Sequence, residues 1–345
     1  MGCNAGLQVD YVSLAACDAA RWAGVLGVAT FNRAAVLRGT EIPVAEVSTP
    51  VLAGVDDVCE VWRAGGPVEA GRLNGVRYRR ADNVLFGCLA VSESDITPLT
   101  ANGGRTTLHE ATEQAYHEIL DVLDTAGYPH LLRVWNYLPE INRDCLGTER
   151  YRQFNSARQD ALLSRGRAVS GNVPAACALG AVTGTPLVIY FLASRALPTF
   201  IENPRQVSAY NYPRQYGART PSFSRATLLH EPGGLTLLIS GTASIVGHET
   251  VHGGDAAAQT REALANIEAL LGEANRVAGA AQFTLQDLAC KVYVRRPEDL
   301  PVIQAQLRSR LGSTARVLYL KADICRQDLL VEIEATGAQP LQDGA

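Results

Sequence analysis

The sequence predicts an α+β protein in which a mixed sheet packs on helices, built from a module that occurs twice. Three observations predict it. Between residues 235 and 335, apolar runs and amphipathic stretches follow one another as strand, helix, strand, helix, strand, strand. The same order recurs between residues 84 and 193. Ile119 and Ile267 occupy matching places in the two long helices, 148 residues apart, which is the offset of a duplicated module.

The first 80 residues show strand-like stretches at 7–14 and 68–79 and little helical periodicity; they either complete the first module or form a third, degenerate one. A strand at 84–91 precedes a helix at about 108–126, with Glu110 near its start and Ile119, Leu120 and Leu123 as the core stripe. A strand at 131–138, a helix at 149–165 and a strand pair at 173–182 and 186–193 complete the first copy. In the second copy an apolar strand at 235–244 enters a glycine-rich loop, and Asp255 caps a helix running to about Asn275 with Ala263, Ile267, Leu270 and Leu271 on one face. A strand at 288–295 follows, then a helix opened by Pro297-Glu298-Asp299 that ends at Leu311, then strands at 316–322 and 329–335. The expected division is 1–225, a degenerate N-terminal region carrying an Arg/Tyr loop, and 226–345, the catalytic unit. With Ala193 laid over Ala335, the second copy has Glu332 and Glu334 where the first has Tyr190 and Leu192.

At 345 residues, 47% hydrophobic and 19% charged, the chain is an ordinary globular one and exceeds a single typical domain. A net charge of −4 without a long basic run argues against a nucleic-acid platform. No apolar run approaches the ~20 residues of a membrane span, and the start meets Asp10 and Asp18 before any basic group, so a cytoplasmic location is expected. The opening Met1-Gly2-Cys3 fails as a lipidation signal because Gly6 stands where Ser or Thr is needed. Eight scattered cysteines without CxxC pairs are expected to be free thiols. Lys291 and Lys321 are the only lysines beside 29 arginines, which favours forked guanidinium recognition of an anion over Schiff-base chemistry.

Three stretches carry candidate chemistry. The loop from Glu202 to Arg225 sets Arg205, Arg214, Arg219 and Arg225 among Tyr210, Tyr212 and Tyr216, and its prolines at 204, 213 and 221 forbid a continuous helix. It reads either as a carboxylate-binding segment or as an arginine-rich surface linker. Tyr151, Phe154, Asn155 and Arg158 share one helix face, suited to a substrate or to a wet contact between modules; Arg133, Trp135 and Tyr137 share one side of a strand, where core packing is expected for the two aromatics. Glu332 and Glu334 share one face of the closing strand; toward open solvent the pair is unremarkable, whereas against a cleft a carboxylic acid partly desolvated beside another carboxylate delivers a proton near neutral pH. His248-Glu249-Thr250-Val251-His252 matches H-E-x-x-H, but its flanking glycines and the helix cap just beyond it place it in a loop, so no metal site is expected.

The C-terminal module resembles the RidA (YjgF) family of enamine/imine deaminases with a chorismate-mutase-like fold, through Ile239-Ser240-Gly241, Gly254-Asp255, Gln259-Thr260, Asn266-Ile267, Val292-Tyr293-Val294 and Val331-Glu332-Ile333-Glu334-Ala335. That resemblance implies that Glu332 positions water or a proton, and that an arginine ahead of it, Arg316 being the nearest match, holds a carboxylate. Nearly the whole chain resembles the chorismatases, through residues 133–137, 149–158, Tyr210 to Ala226, SGTASIVGHE from Ser240 and ADICRQDLLVEIEA from Ala322. This second resemblance implies removal of pyruvate from chorismate without a metal, flavin or nicotinamide, and without an obligatory protein partner. Glu332 is then the acid, with Tyr151, Arg158, Tyr210, Tyr212, Arg214, Tyr216, Arg225, Gly241 and Thr242 at the substrate, and Ala243, Lys321 and Cys325 as product selectors. The expected product is 3-hydroxybenzoate, with 4-hydroxybenzoate beside it, as in pigment and quinone-precursor routes. The alternatives are hydrolysis to 3,4-dihydroxycyclohexa-1,5-dienoate, a trimeric RidA-like deaminase, a zinc peptidase and a non-enzymatic binder of an aromatic acid.

Overall fold

A computed structural model describes residues 6–14, 22, 24–31, 40–55, 57–96, 105–279 and 283–340. The start at Met1-Gly2-Cys3 and Cys17 and Asp18 lie outside them. The N-terminal part supplies β1 (Gln8–Ser13), β2 (Val25–Thr30), β3 (Val44–Glu46), β4 (Val51–Ala53) and β5 (Val58–Arg63). The first module follows as β6 (Glu69–Leu73), β7 (Val76–Arg80), β8 (Val84–Val91), α1 (Thr107–Ala126), β9 (His130–Pro139), a small hairpin of β10 (Asp144–Cys145) and β11 (Thr148–Glu149), α2 (Arg150–Ser164), β12 (Ala175–Ala181) and β13 (Leu187–Ser194). The second is β14 (Thr199–Ile201), β15 (Ala226–Glu231), β16 (Gly234–Ala243), a small hairpin of β17 (Ile245–Val246) and β18 (Glu249–Thr250), α3 (Ala256–Ala278), β19 (Ala289–Val294), α4 (Leu300–Leu311), β20 (Arg316–Lys321) and β21 (Val331–Gln339).

The duplication is visible in the sheets. One runs β6-β7-β8-β13-β9-β12, the other β14-β15-β16-β21-β19-β20 with β4 added at its edge. In both, the strand after the second helix pairs parallel (β12 with β9, β20 with β19) and the closing strand sits antiparallel in the centre. The stretch expected as one strand at 68–79 is instead the hairpin β6–β7, because Asn74-Gly75 supplies a two-residue turn with Asn74 at φ 52. β1, β5, β2 and β3 form a separate four-stranded sheet rather than completing either module.

Each helix pair covers one face of its own sheet. Ile119, Leu120, Leu123 and Phe154 pack on Leu85, Val134 and Ile189, whereas Ile267, Leu270, Leu271 and Ile303 pack on Leu237, Val292 and Ile333. Thr106 caps α1 through the His109 amide and Asp255 caps α3 through the Ala258 amide, each satisfying an orphan donor of a helix start. The remaining faces meet each other and the N-terminal sheet, burying Trp62, Phe86, Trp135, Tyr137, Tyr190, Leu238 and Tyr293 together. Strand alternation sends Val331, Ile333 and Ala335 to the helices and Glu332 and Glu334 into this central layer.

At the centre of that layer Lys291, with no solvent exposure, donates to Glu60 at 2.6 Å, to Glu334 at 2.7 Å and to the Tyr190 hydroxyl at 2.8 Å. Arg133 and the Trp135 indole also donate to Glu334, and the Trp62 indole donates to Glu60 at 2.7 Å. Two cations and two anions from three sheets thus neutralise one another where no water reaches. Removing one member of such a network leaves an uncompensated buried charge. Lys291→Met is expected to lower the unfolding free energy by about 3–5 kcal/mol, read from urea denaturation at neutral pH.

Candidate active site

A cleft of about 800 Å³ opens at one end of the layer between the modules. Its depth is formed by Glu332 on β21, Gly241 and Ala243 on β16, Tyr151 on α2, and Phe223 and Arg225 at the end of the irregular loop; its mouth lies between the two small hairpins. Cys325 and Arg326, in the connection from β20 to β21, close another side. Arg295 shapes that connection by donating to the Ile324, Arg326 and Leu329 carbonyls. Gln259 on α3 holds it too, accepting from the Leu330 amide and donating to the Asp328 carbonyl.

The two glutamates of the closing strand diverge in ionisation. Glu332 is 4% exposed, and burial, reinforced by the negative charge of Glu334, pushes its carboxyl up to about 8 against the opposing pull of Arg133, Arg225 and Arg295. Burial alone would raise Glu334 as well, but Lys291 and Arg133 together with the Trp135 indole hold it below the usual carboxylate range. At neutral pH the chain therefore presents one neutral carboxylic acid to the cleft above one fixed carboxylate. Only Glu332 lines the cleft.

A β-bulge at residues 240–241 of β16 lies opposite the strand that carries both acids. It brings Gly241 so close to Glu332 that a Cβ there would stand 1.9 Å from the Glu332 Oε1. The side chain of Glu332 lies across that glycine, and any larger residue would displace it.

Two guanidinium groups face the same space. Arg225 donates to the Tyr212 hydroxyl and the Val207 carbonyl, both at 2.8 Å, and its buried Nε has no protein partner. Arg326 stacks 4.1 Å from the Tyr216 ring centroid and 5.3 Å from that of Tyr212, donates through Nη1 to the His248 carbonyl at 2.9 Å, and keeps a buried Nη2 without a protein partner. Buried unpaired donors of this kind are costly unless an acceptor completes them, and a carboxylate matches their fork.

The expected site residues divide. Glu332, Tyr151, Tyr212, Tyr216, Arg225, Gly241, Ala243 and Cys325 line the cleft. Arg158 lies buried two helical turns beyond Tyr151, bonded to Asn155 at 3.2 Å and packed on Phe154. Tyr210 is half-buried outside the lining, and Arg214, in the next 3₁₀ turn, is exposed. Thr242 turns back to the Ser240 carbonyl at 2.8 Å. Lys321 ends β20 beside the edge strand β4, its backbone N–H bonded to the Pro50 carbonyl, and does not line the cleft. Arg205 is held by Glu262 at 2.6 Å and Arg219 by Asp160 at 3.3 Å. Arg316 is an exposed partner of Asp10 at 3.7 Å; the arginine just ahead of the closing strand that reaches the cleft is Arg326. Sequence reasoning passed over it, although it sits in the loop leading directly into that strand. The face of Arg133, Trp135 and Tyr137 is buried as expected for its aromatics, and Arg133 joins the charge network beneath the cleft.

The H-E-x-x-H stretch is not helical. Glu249 and Thr250 form a strand, His252 has φ 61, His248 contacts the Tyr216 hydroxyl at 3.3 Å and His252 pairs with Glu262 at 3.2 Å. Among the described residues no group of three or more His, Cys, Asp or Glu is placed to hold a metal, six cysteines carry no disulfide, and no helix is long and apolar enough to cross a membrane.

A cleft between two α+β modules that holds one uncharged carboxylic acid and two guanidinium groups has the make-up of an enzyme site for an organic anion. Residues 60–193 match the family described as Chorismatase FkbO/Hyg5-like, N-terminal. A chorismatase of Streptomyces rapamycinicus is 41% identical over 290 residues, covering 82% of this chain and 83% of that protein. A 3-hydroxybenzoate synthase of Streptomyces hygroscopicus is 40% identical over 295 residues, covering 82% of each. A chorismatase crystal structure superposes over 96% of this chain and 98% of its own with a TM-score of 0.84 at 35% identity. The chain belongs to the chorismatase family.

Gly241→Ala is expected to leave the fold intact by circular dichroism while lowering kcat at least tenfold, because the new methyl group displaces the carboxyl of Glu332.

Proposed function

We propose that this chorismatase releases pyruvate from chorismate and yields 3-hydroxybenzoate. The observation that carries the reading is the neutral carboxyl of Glu332 in the same cleft as the unpaired donors of Arg225 and Arg326. Chorismate has two carboxylates, one on the ring and one on the enolpyruvyl ether. Two separate guanidinium clamps and one acid match that pattern.

In the proposed reaction Glu332 transfers its proton to the methylene carbon of the enolpyruvyl group, and the ether carbon becomes an oxocarbenium centre beside the newly formed methyl group. The ionised Glu332 left behind stabilises that cation. Attack by the neighbouring ring hydroxyl, which loses its proton, gives a cyclic ketal; loss of the hydrogen from the ether-bearing ring carbon then breaks the C–O bond of the adjacent ring carbon and aromatises the ring, and the resulting hemiketal collapses to 3-hydroxybenzoate and pyruvate with no net uptake of water. Attack by water instead gives a hemiketal that collapses to pyruvate and the dihydroxycyclohexadienoate.

The surroundings of Glu332 favour the first course. Ala243, Ile245, Phe223 and Cys325 give the cleft apolar walls, and burial pushes the Cys325 thiol up to about 12, so it remains an uncharged, weakly polar wall. Ala243 and Cys325 are accordingly the residues we assign to product selection. Tyr151, Tyr212 and Tyr216 orient the dianion, and Arg158 supports Tyr151 from behind.

Incubation with chorismate, following pyruvate and separating 3-hydroxybenzoate, 4-hydroxybenzoate and the dienediol by chromatography, tests the reading; absence of pyruvate would sink it. The acid acts when protonated, a state present below its pKa and lost above it. The kcat/KM for pyruvate release is therefore expected to hold below about pH 8 and to fall tenfold per pH unit above it. Glu332→Gln is expected to lower kcat by about 10²–10⁴.

A further inference from the structure

Glu334 has no place in the cleft, yet it is held by more charged and polar partners than any substrate-facing group. Lys291 on β19, Arg133 and Trp135 on β9 all donate to its two oxygens, and Lys291 is itself fixed by Glu60 on β5 and Tyr190 on β13. Such a set fixes both the charge and the position of the carboxylate. Glu332 lies two residues away on the same face of the same strand, roughly 7 Å along it. Cys177 on β12 senses both carboxylates, and its Cβ stands 3.1 Å from where a Gly241 Cβ would lie against Glu332.

We propose that Glu334 is a positioning residue for the proton step: pinned as an anion by Lys291, Arg133 and Trp135, it is the fixed charge that adds to burial in keeping Glu332 in its proton-donating form. This rests on the reading of Glu332 as the acid. The charged and titratable groups facing Glu332 are Glu334 on its own strand, Arg133 from β9, Arg225 at the start of β15, Arg295 following β19, Cys177 from β12, Tyr151 from α2 and Cys325 from the loop. The three arginines all favour the ionised form of Glu332. Glu334 is the one permanent anion among these groups that opposes them, and it can do so because Lys291, itself held by Glu60, stabilises its charge from the far side. The first module offers a contrast, with Tyr190 and Leu192 at the corresponding places of β13 and no such pair.

The chemical consequence is specific. The anion offsets the arginines around the acid, which draw its proton away against the opposing effect of burial. The network lets one cleft hold both cationic clamps and a neutral carboxylic acid.

The test uses Glu334→Gln and the double variant Glu334→Gln/Lys291→Met, in which an anion and a cation leave together, so that a folding failure of the single variant does not end the experiment. Two midpoints are measured in the full-length protein: the alkaline limb of kcat/KM for pyruvate release, and the infrared titration of the protonated carboxyl band that Glu332→Gln removes. Both are expected to fall by about one pH unit or more relative to the unsubstituted chain, with activity recovering toward acidic pH. Midpoints that stay in place in folded variants would overturn the inference, since a merely structural role changes stability and not the titration of Glu332. An infrared midpoint that moves in a protein releasing no pyruvate would support the charge coupling and overturn the reading of the cleft instead.

Discussion

The contact on which the molecule depends is the ion pair of Lys291 with Glu60 and Glu334. It joins a strand of the N-terminal sheet to two strands of the second module, and through Tyr190, Arg133 and Trp135 it also holds the first. A lysine without solvent exposure is stable only when its charge is matched and its donors are all used, and here each of its three protons has a partner within 2.8 Å. Burial by itself would drive Lys291 toward the neutral amine; the two carboxylates hold it charged. An apolar replacement of the whole set could give a comparable core, so the network is better explained by what it does for the site than by stability alone.

That function begins with the duplication. Two similar α+β modules place their sheets face to face with the helices outside, and β9 and β12 of the first meet β16 of the second across the layer. In the first module the inward positions of the strand became aromatic and aliphatic, and Tyr190 now stacks on Trp135 at 4.5 Å between ring centroids. In the second they remained carboxylates. One of these was drawn into the charge network, the other was left at the floor of the cleft, where desolvation keeps it protonated. Divergence of the copies thus produced a dry wall on one side and an acid on the other.

Much of this was legible in the sequence, and what was not has a physical cause. The helices and most strands follow local periodicity, so their places fell within a few residues, and the pairing of Glu332 with Glu334 on one face is a property of any strand. Which glutamate stays neutral is not local. It depends on Lys291, 43 residues earlier, and on Glu60, buried in the apolar strand VCEVWR, where nothing marks it as a charge partner. Arg214 and Lys321 stand close along the chain to residues of the site, but a 3₁₀ turn exposes the first and the end of β20 beside β4 takes the second. Arg326 was missed for the opposite reason: it lies in a short irregular connection without periodicity, and only the fold of the loop around Arg295 and Gln259 delivers it to the cleft.

The central claim is that a protein carboxylic acid protonates the enolpyruvyl methylene. It is tested most directly by cleaving chorismate in D₂O, reducing the pyruvate at once to lactate and counting deuterium in the methyl group by mass spectrometry. Protonation by Glu332, whose proton exchanges with solvent, predicts one deuterium per pyruvate methyl. Pyruvate released with an all-protium methyl would show that the hydrogen came directly from the ring and would contradict the account.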